Sequence, residues 1–307
     1  MEEISCIFCG IYSNNIVISE NGYAGKKCRI CGLIYVSPRP SKTEIANIYG
    51  HDNAQLSAQL HIEQKHAKNL QAHHHLALLK QYCKKGNLLE IGAGAGYFLA
   101  EAKKYGFEPF GIELNPTQAY FITNNLGIPC QMEPISPNSF ANMKFDIIYH
   151  CDVASHFYDP IDAFTTMYNK LKSGGILFFE TGNIGDVDKR YYRLFEHFQC
   201  PDHLFFFGQK SLYNLMVQAG FEIIAYYRYC IIPQLLFNKV LRLIRKPTSQ
   251  KKTNHQKTYI TNKKSFFKNY IKQIYNYTQH TLRYKIGRYF CKKNSPETII
   301  IVARKKG

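Results

Sequence analysis

From Asn87 onward the apolar positions switch between two periods. Short runs rich in Ile, Leu, Val and Phe read as buried strands: "NLLEIGA", "FEPFGIEL", "IPCQM", "FDIIYHC", "GGILFFET", "FEIIAYYRY" and "ETIIIVARK". Segments with helical spacing fill most of the gaps, over roughly 97–105, 116–126, 160–171 and 209–219. Upstream, residues from about 61 to 83 read as one more helix, with Ala67, Leu70, His74 and Leu78 as its apolar or small positions. Strands that alternate with helices predict an α/β fold, a doubly wound, seven-stranded and mostly parallel sheet. One gap breaks the rule. About 65 residues separate the last two strands, so an insertion there would leave the sheet intact and project from one end.

The segments before Asn87 read differently. "LIYVSPRPSKTEIANIYG" predicts an extended strand, a Pro-Arg-Pro turn and a short helix capped by Ser41. The chain thus divides into an N-terminal module with its linker over 1–60, a core over 61–230, an insertion over 231–296, and a final core strand over 297–307. A chain of 307 residues is long enough for a full core with such appendages.

Charge sharpens this division. Of the 39 Lys and Arg residues, 19 lie from Lys239 onward against one acid, Glu297, a net charge of +18 for that part. The rest of the chain is nearly neutral, so the excess of positive charge belongs to one late segment. No uncharged apolar run approaches the ~20 residues of a membrane span. The acidic, cysteine-bearing start "MEEISCIFCG" is unlike a signal peptide. Ten cysteines in such a chain point to reduced thiols and a cytoplasmic setting.

Four of those cysteines are arranged as two matched knuckles, Cys6-Ile-Phe-Cys9-Gly10 and Cys28-Arg-Ile-Cys31-Gly32. Each CxxC turn offers two thiolates to one side of a tetrahedral Zn²⁺, and two turns close the site. A closed four-thiolate site has no open position for substrate, so the expected role is structural. Lys26, Lys27 and Arg29 can offset its negative charge. The run His73-His74-His75 is not read as a metal site, because consecutive helical residues point in different directions; it is expected on a partly exposed helix surface.

Candidate chemistry centres on "NLLEIGAGAGYF". A strand ends at Glu90, glycines follow at 92, 94 and 96, and a helix begins. A dinucleotide turn needs G-x-G-x-x-G, and counted from Gly92 its third glycine would fall at Tyr97. Glu90 also argues against a pyrophosphate, which it would repel. A carboxylate there suits a ligand with an ammonium or sulfonium group, and S-adenosylmethionine carries both. Glu113, which ends the next strand, can accept hydrogen bonds from ribose hydroxyls.

Together "LLEIGAGAGYFL", "GIELNP", "FDIIYHCDVASHFYDP" and "LKSGGILFFETGN" resemble the class I S-adenosylmethionine-dependent methyltransferases, a Rossmann-like family, in that family's order over roughly 86–181. "CRICGLIYVSPRPS" resembles the zinc-binding module fused to a subset that acts on sugars or on surface-polysaccharide and natural-product precursors. "PDHLFFFGQKSLYNLMVQAGFE" resembles the segment after the core of that subset. The resemblance implies that Glu90, Gly92, Gly94 and Gly96 line the methionine moiety and Glu113 the ribose. It further implies that Cys151 and Asp152 border the sulfonium, with Glu133 a candidate near the adenine. For a proton acceptor it offers His203, beside Asp202 as in related sugar C-methyltransferases, and His156 as the second candidate. Glu196-His197 is another acid-His pair, and Tyr23 and Tyr49 could reach the site from the zinc module.

The insertion matches no part of that family. "PQLLFNKVLRLIRK" puts Leu236, Phe237, Val240, Leu241 and Ile244 on one helical face and Lys239, Arg242 and Lys246 on another, and "KKSFFKNYIKQIYNYTQHTLRYKIGRYF" repeats the theme. Basic, aromatic-rich, acid-free amphipathic helices suit an anionic membrane surface, which would make the protein peripheral on the inner membrane face. A helical lid on the core and a nucleic-acid grip are the alternatives. The expected acceptor is a small molecule, glycan or lipid-linked precursor. Two further readings stay open: an RNA methyltransferase, although no "NPPY"-like motif follows the fourth strand, and a non-catalytic scaffold on the same fold.

Overall fold

The computed structural model describes residues 1–45, 58–59, 62–244 and 262–306. Three antiparallel strands come first, β1 (Ile16–Glu20), β2 (Tyr23–Lys27) and β3 (Ile34–Val36). The helix α1 (Lys65–Leu79) leads into β4 (Gly86–Ile91), α2 (Tyr97–Lys104), β5 (Phe107–Ile112) and α3 (Pro116–Tyr120). Then follow β6 (Cys130–Gln131), β7 (Phe145–Cys151), α4 (Pro160–Lys170) and β8 (Leu171–Gly182). The chain continues through β9 (Phe205–Phe206), α5 (Gln209–Gln218), β10 (Phe221–Cys230), α6 (Ile232–Ile244), α7 (Asn262–His280) and β11 (Glu297–Lys305).

Seven of the strands form the predicted sheet in the order β10-β11-β8-β7-β4-β5-β6. Strands β4 to β8 run parallel, and β11 runs antiparallel to both its neighbours. Successive strands travel outward from β4 to β6 and then return to β7 on β4's other side. That reversal opens a crevice at the carboxyl ends of β4 and β7, where ligands of such sheets bind.

The strands read as continuous apolar runs because both faces are covered. Leu89, Ile148, Phe179 and Ile301 pack under α4 and α5 with Phe164, Met167 and Leu212. Their neighbours Leu88, Ile147, Phe178 and Ile300 pack under α1 and α2 with Leu76, Leu79 and Phe98. Helix starts follow local chemistry. Asn115 and Asp159 cap α3 and α4 by accepting from Gln118 N (3.2 Å) and Asp162 N (3.0 Å), each followed by a proline at the first helical position. Ser41 and Glu44 exchange the reciprocal bonds of a capping box: Ser41 N donates to Glu44 Oε2 (2.7 Å) and Glu44 N to Ser41 Oγ (3.4 Å).

The N-terminal strands join the core. Ile34 and Tyr35 of β3 pair with Phe206 and Phe205 of β9, making a second, four-stranded sheet. Cys6, Cys28, Cys31 and Leu33 belong to the same apolar cluster as α4 and α5.

The inward face of α1 differs from the sequence expectation. Ala72, His75, Leu76 and Leu79 are buried, one position on from the face through Ala67, Leu70, His74 and Leu78. The histidine run therefore turns largely inward. His73 alone is exposed, bound to Glu101; His74 packs on Tyr284; and His75 is fully buried. The reason is polar satisfaction: His75 bonds Tyr149 Oη (2.7 Å) and Glu180 Oε2 (3.1 Å), so a histidine is accepted where only apolar residues were expected.

Candidate active site

A cavity of about 1160 Å³ occupies the crevice. Its floor is the loop from β4 into α2. Gly92, Gly94 and Gly96 all take left-handed φ values of 68°, 54° and 69°. A Cβ at Gly92 would fall 2.6 Å from Val153 Cγ2, and one at Gly96 2.6 Å from Ile122 Cγ1, so packing as well as backbone demands glycine there. At Gly94 a Cβ would meet nothing within 4 Å, and its N–H instead donates to Glu113 Oε2 (2.7 Å). Asn115 N donates to the other oxygen of Glu113 (2.8 Å). Gly92 and Gly94 line the cavity, whereas Gly96 shapes the turn from behind.

Glu90 is the unusual group. It is 5 % exposed, lines the cavity, and its Oε2 has no hydrogen-bond partner among the described residues. Burial pushes its carboxyl well above the usual carboxylate range, with the Lys68 ammonium as the chief opposing charge. Burial raises Glu113 as well, against the pull of its backbone donors. Both groups favour a ligand that brings hydrogen-bond donors and positive charge.

At the end of β7, Asp152 adopts φ 57° and its N–H donates to Glu180 O (2.9 Å). Solvent reaches its side chain through the cavity, while surrounding protein and then Glu180 raise its pKa. The Cys151 thiol lies 3.3 Å from Gln71 Nε2 and is pushed well up by burial, which keeps it protonated.

The histidines stand on the opposite wall. His156 ends a short 3-10 turn, Ala154–His156, and its Nδ1 lies 3.2 Å from Asp202 Oδ1. The His203 ring meets the His156 ring edge-on with centroids 4.6 Å apart. Burial, and next the neighbouring His156, lower the His203 imidazole to about 4. The carboxylate expected beside His203 is hydrogen-bonded to His156, while its charge also opposes the lowering of His203. Backbone geometry decides this: Leu204 N donates to Ser155 O (2.8 Å), which brings the Asp202–His203 turn against the His156 turn. The pair Glu196-His197 separates, with Glu196 binding Arg242 and His197 Nδ1 lying 3.6 Å from Glu20 Oε1. Glu133 is exposed and its neighbours Pro134 and Ile135 line the cavity in its place. Tyr23 lies in β2, away from the cavity, and Tyr49 falls outside the described residues.

A family model described as a methyltransferase domain matches residues 62–226, more than half of the chain. The chain belongs to that family. It is a class I S-adenosylmethionine-dependent methyltransferase. Phosphoethanolamine N-methyltransferase 1 of Zea mays is 29 % identical over 110 residues, 31 % of this chain; the chain spans 22 % of that relative's length. A SAM-dependent methyltransferase from Thermotoga maritima is 18 % identical, with 85 % of this chain and 100 % of that chain covered and a TM-score of 0.47. Geranyl diphosphate C-methyltransferase from Streptomyces coelicolor A3(2) is 15 % identical, with 76 % and 75 % covered and a TM-score of 0.48.

Several residues in or behind the wall of this methyltransferase's cavity escaped the sequence reading. Glu180, at the end of β8, is fully buried and accepts from Tyr284 Oη (2.8 Å), His75 Nε2 (3.1 Å), Gln71 Nε2 (3.1 Å) and Arg283 Nη1 (3.4 Å). Burial alone would raise Glu180, but His75, Arg283 and Tyr284 outweigh it and hold the carboxyl at about 2. Arg283 comes from the insertion and lines the cavity. Arg39 of the Pro-Arg-Pro turn stacks 3.7 Å above the Tyr158 ring and donates to Tyr158 O (2.8 Å), which ties the N-terminal module to the cavity wall. The available signals were an acid ending an apolar run, "ILFFET", and an arginine between prolines.

The four knuckle cysteines converge. Their sulfurs all lie within 4.8 Å of one another, and Cys6 Sγ and Cys31 Sγ are 3.5 Å apart. Gly10 and Gly32 take φ 67° and 75°, and their N–H groups donate to Cys6 O (2.8 Å) and Cys28 O (3.0 Å). Four sulfurs at Zn–S bonds of about 2.3 Å would be separated by distances of this kind.

Proposed function

We propose that this methyltransferase acts on a hydroxyl, carbon or amine of a sugar, glycan, natural product or lipid-linked precursor, and that His156 accepts the acceptor's proton. The Asp202 carboxylate at Nδ1 of His156 is the observation that carries the assignment. A carboxylate there fixes the tautomer that leaves Nε2 as acceptor. His203, held at about 4, is a weak base at neutral pH and serves as the ring that packs His156 in place.

The residues present fit the methyl donor. S-adenosylmethionine supplies an electrophilic methyl group on a sulfonium when bound. Glu90, with a buried and unpartnered oxygen, balances the positive charge of that ligand, and Glu113 holds a ribose. Asp152 and the Cys151 thiol border the acceptor side. In the N-terminal module Cys6, Cys9, Cys28 and Cys31 hold a structural Zn²⁺, supported by the convergence of their sulfurs. Among the described residues no helix is long and apolar enough to cross a membrane.

The test is transfer of label from S-adenosyl-[methyl-³H]methionine to fractionated glycan, lipid and small-molecule extracts. His156→Asn should lower turnover on the active fraction by about 10²–10⁴ with donor affinity unchanged. Full activity of His156→Asn beside an inactive His203→Asn would reverse the assignment.

A further inference from the structure

The insertion leaves the sheet at Ile231 and comes back through Arg283, and both residues line the cavity. Between them α6 and α7 pack side by side. Gln234 Oε1 accepts from Arg283 Nε (3.1 Å), and Asn238 Oδ1 accepts from Gln279 Nε2 (2.7 Å) and Tyr275 Oη (3.1 Å). Partner numbers fall along α7 as they rise along α6, so the helices are antiparallel. The result is a two-helix hairpin rooted at the cavity rim.

Its outer face is apolar. Leu236, Val240 and Leu243 stand on α6 at spacings of four and three, and Tyr270, Ile274 and Tyr277 repeat those spacings on α7. All six are between 47 and 77 % exposed. At about 100° per residue, each row lies roughly 150–175° around its helix from the residues that make the helix–helix contacts. Each row therefore faces outward from the pair, and on α6 it is extended by Ile244, 71 % exposed. The α6 row, Leu236, Val240, Leu243 and Ile244, is a continuous exposed apolar stripe rather than scattered surface residues.

We propose that the α6 stripe lies on an anionic lipid bilayer and holds the cavity mouth against the membrane surface. Charge selects that occupant. Neither α6 nor α7 contains an acid, Lys239 and Lys272 are exposed beside the rows, and the chain from Lys239 onward carries +18. Its only acid, Glu297, is buried and bound by Arg228 Nε (2.6 Å); the one core carboxylate seen against α6 is Glu196, which pairs with Arg242 and leaves Lys239 to face an anionic surface. Aliphatic side chains enter the acyl boundary and tyrosines sit at the headgroup level. A nucleic acid would use the tyrosine faces and the lysines but has no use for the Leu-Val-Leu row. The docking stands apart from the transferase reading; only the delivery of a lipid-linked acceptor from the membrane to the cavity rests on it.

The experiment is co-sedimentation of the full chain with phosphatidylcholine vesicles, with and without about 30 % phosphatidylglycerol. Binding should be roughly tenfold or more stronger with the anionic lipid and should weaken as salt is raised. Leu236→Ser with Leu243→Ser should remove about tenfold of vesicle affinity and leave S-adenosylmethionine affinity unchanged. Equal binding to both vesicle types overturns the proposal, as does absence of vesicle binding by a soluble protein that binds homopolymer RNA or self-associates through this face. Donor affinity is measured on the same preparation: vesicle binding without donor binding refutes the transferase reading and leaves the docking intact.

Discussion

Tyr284→Phe is the smallest change that tests whether the insertion is locked into the catalytic body. Tyr284 is 4 % exposed and donates to Glu180 at 2.8 Å to one oxygen and 3.1 Å to the other. A hydrogen bond to a buried charged group contributes about 1.5–3 kcal/mol, and the phenyl ring keeps the packing, so the variant should lose about that amount. Glu180→Gln removes the charge that Arg283 and His75 face and should cost about 3–5 kcal/mol. The pair should be non-additive by about 1–2 kcal/mol, because both substitutions delete the same bond. The sign with pH is fixed by the low Glu180 value. Its contribution is complete above the ordinary carboxylate pKa and is lost as pH falls toward about 2, so neutral pH reads the full effect. Urea unfolding followed by far-ultraviolet circular dichroism measures all three variants. Losses under about 0.5 kcal/mol for both single variants, or strict additivity, would refute a shared buried network.

Two further outcomes are expected. The protein purified under reducing conditions should contain about one zinc per chain, and Cys28→Ser should lose it and melt several degrees lower; a zinc-free protein that melts with Cys28→Ser would remove the metal from the account. His203, held at about 4 against an ordinary value of about 6.5, takes up its proton later in the folded chain than in the unfolded one. It therefore withdraws stability as pH falls from about 6.5 to about 4, by at most about 3 kcal/mol, and His203→Gln should flatten that part of the pH–stability curve. An unchanged slope would mean that His203 is not buried neutral.

The sheet was legible because its strands are apolar on both faces, which leaves unmixed runs such as "TIIIVA" that no amphipathic helix resembles. Glu90, the glycines and Glu113 could be read as a group because each ends or follows a strand: Glu90 in β4, the glycines in the loop after it, and Glu113 just past β5. The histidines were not. Asp202 adjoins His203 in the chain, yet it also hydrogen-bonds His156, 46 residues upstream, a contact no local pattern shows. Glu180 was invisible for the same reason. Its partners His75, Gln71 and Tyr284 lie 105, 109 and 104 residues away, on elements whose meeting no local pattern encodes. The face of α1 was misread because burial of His75 depends on those distant oxygens.

Three carboxylates stand near the carboxyl ends of adjacent strands: Glu90 on β4, Asp152 just past β7, and Glu180 on β8. Glu90 and Glu180 are buried while solvent reaches Asp152 through the cavity, and the pKa of Glu180 is lowered where those of Glu90 and Asp152 are raised. Glu180 is held ionised because α1 and the insertion bring His75, Gln71, Arg283 and Tyr284 to it. Glu90 has the Lys68 ammonium only at a distance, and one of its oxygens has no donor among the described residues. Leaving a buried carboxyl oxygen unmet costs on the order of 1–3 kcal/mol, which the fold could remove with an amide or an apolar side chain. A ligand that arrives with its own positive charge and N–H donors recovers that free energy on binding. The same unmet oxygen disfavours a nucleotide whose phosphates would be set against it. The fold satisfies the acid that anchors the insertion and leaves unsatisfied one oxygen of the acid before the glycine turn, and under the proposed function that contrast is what favours a cationic methyl donor.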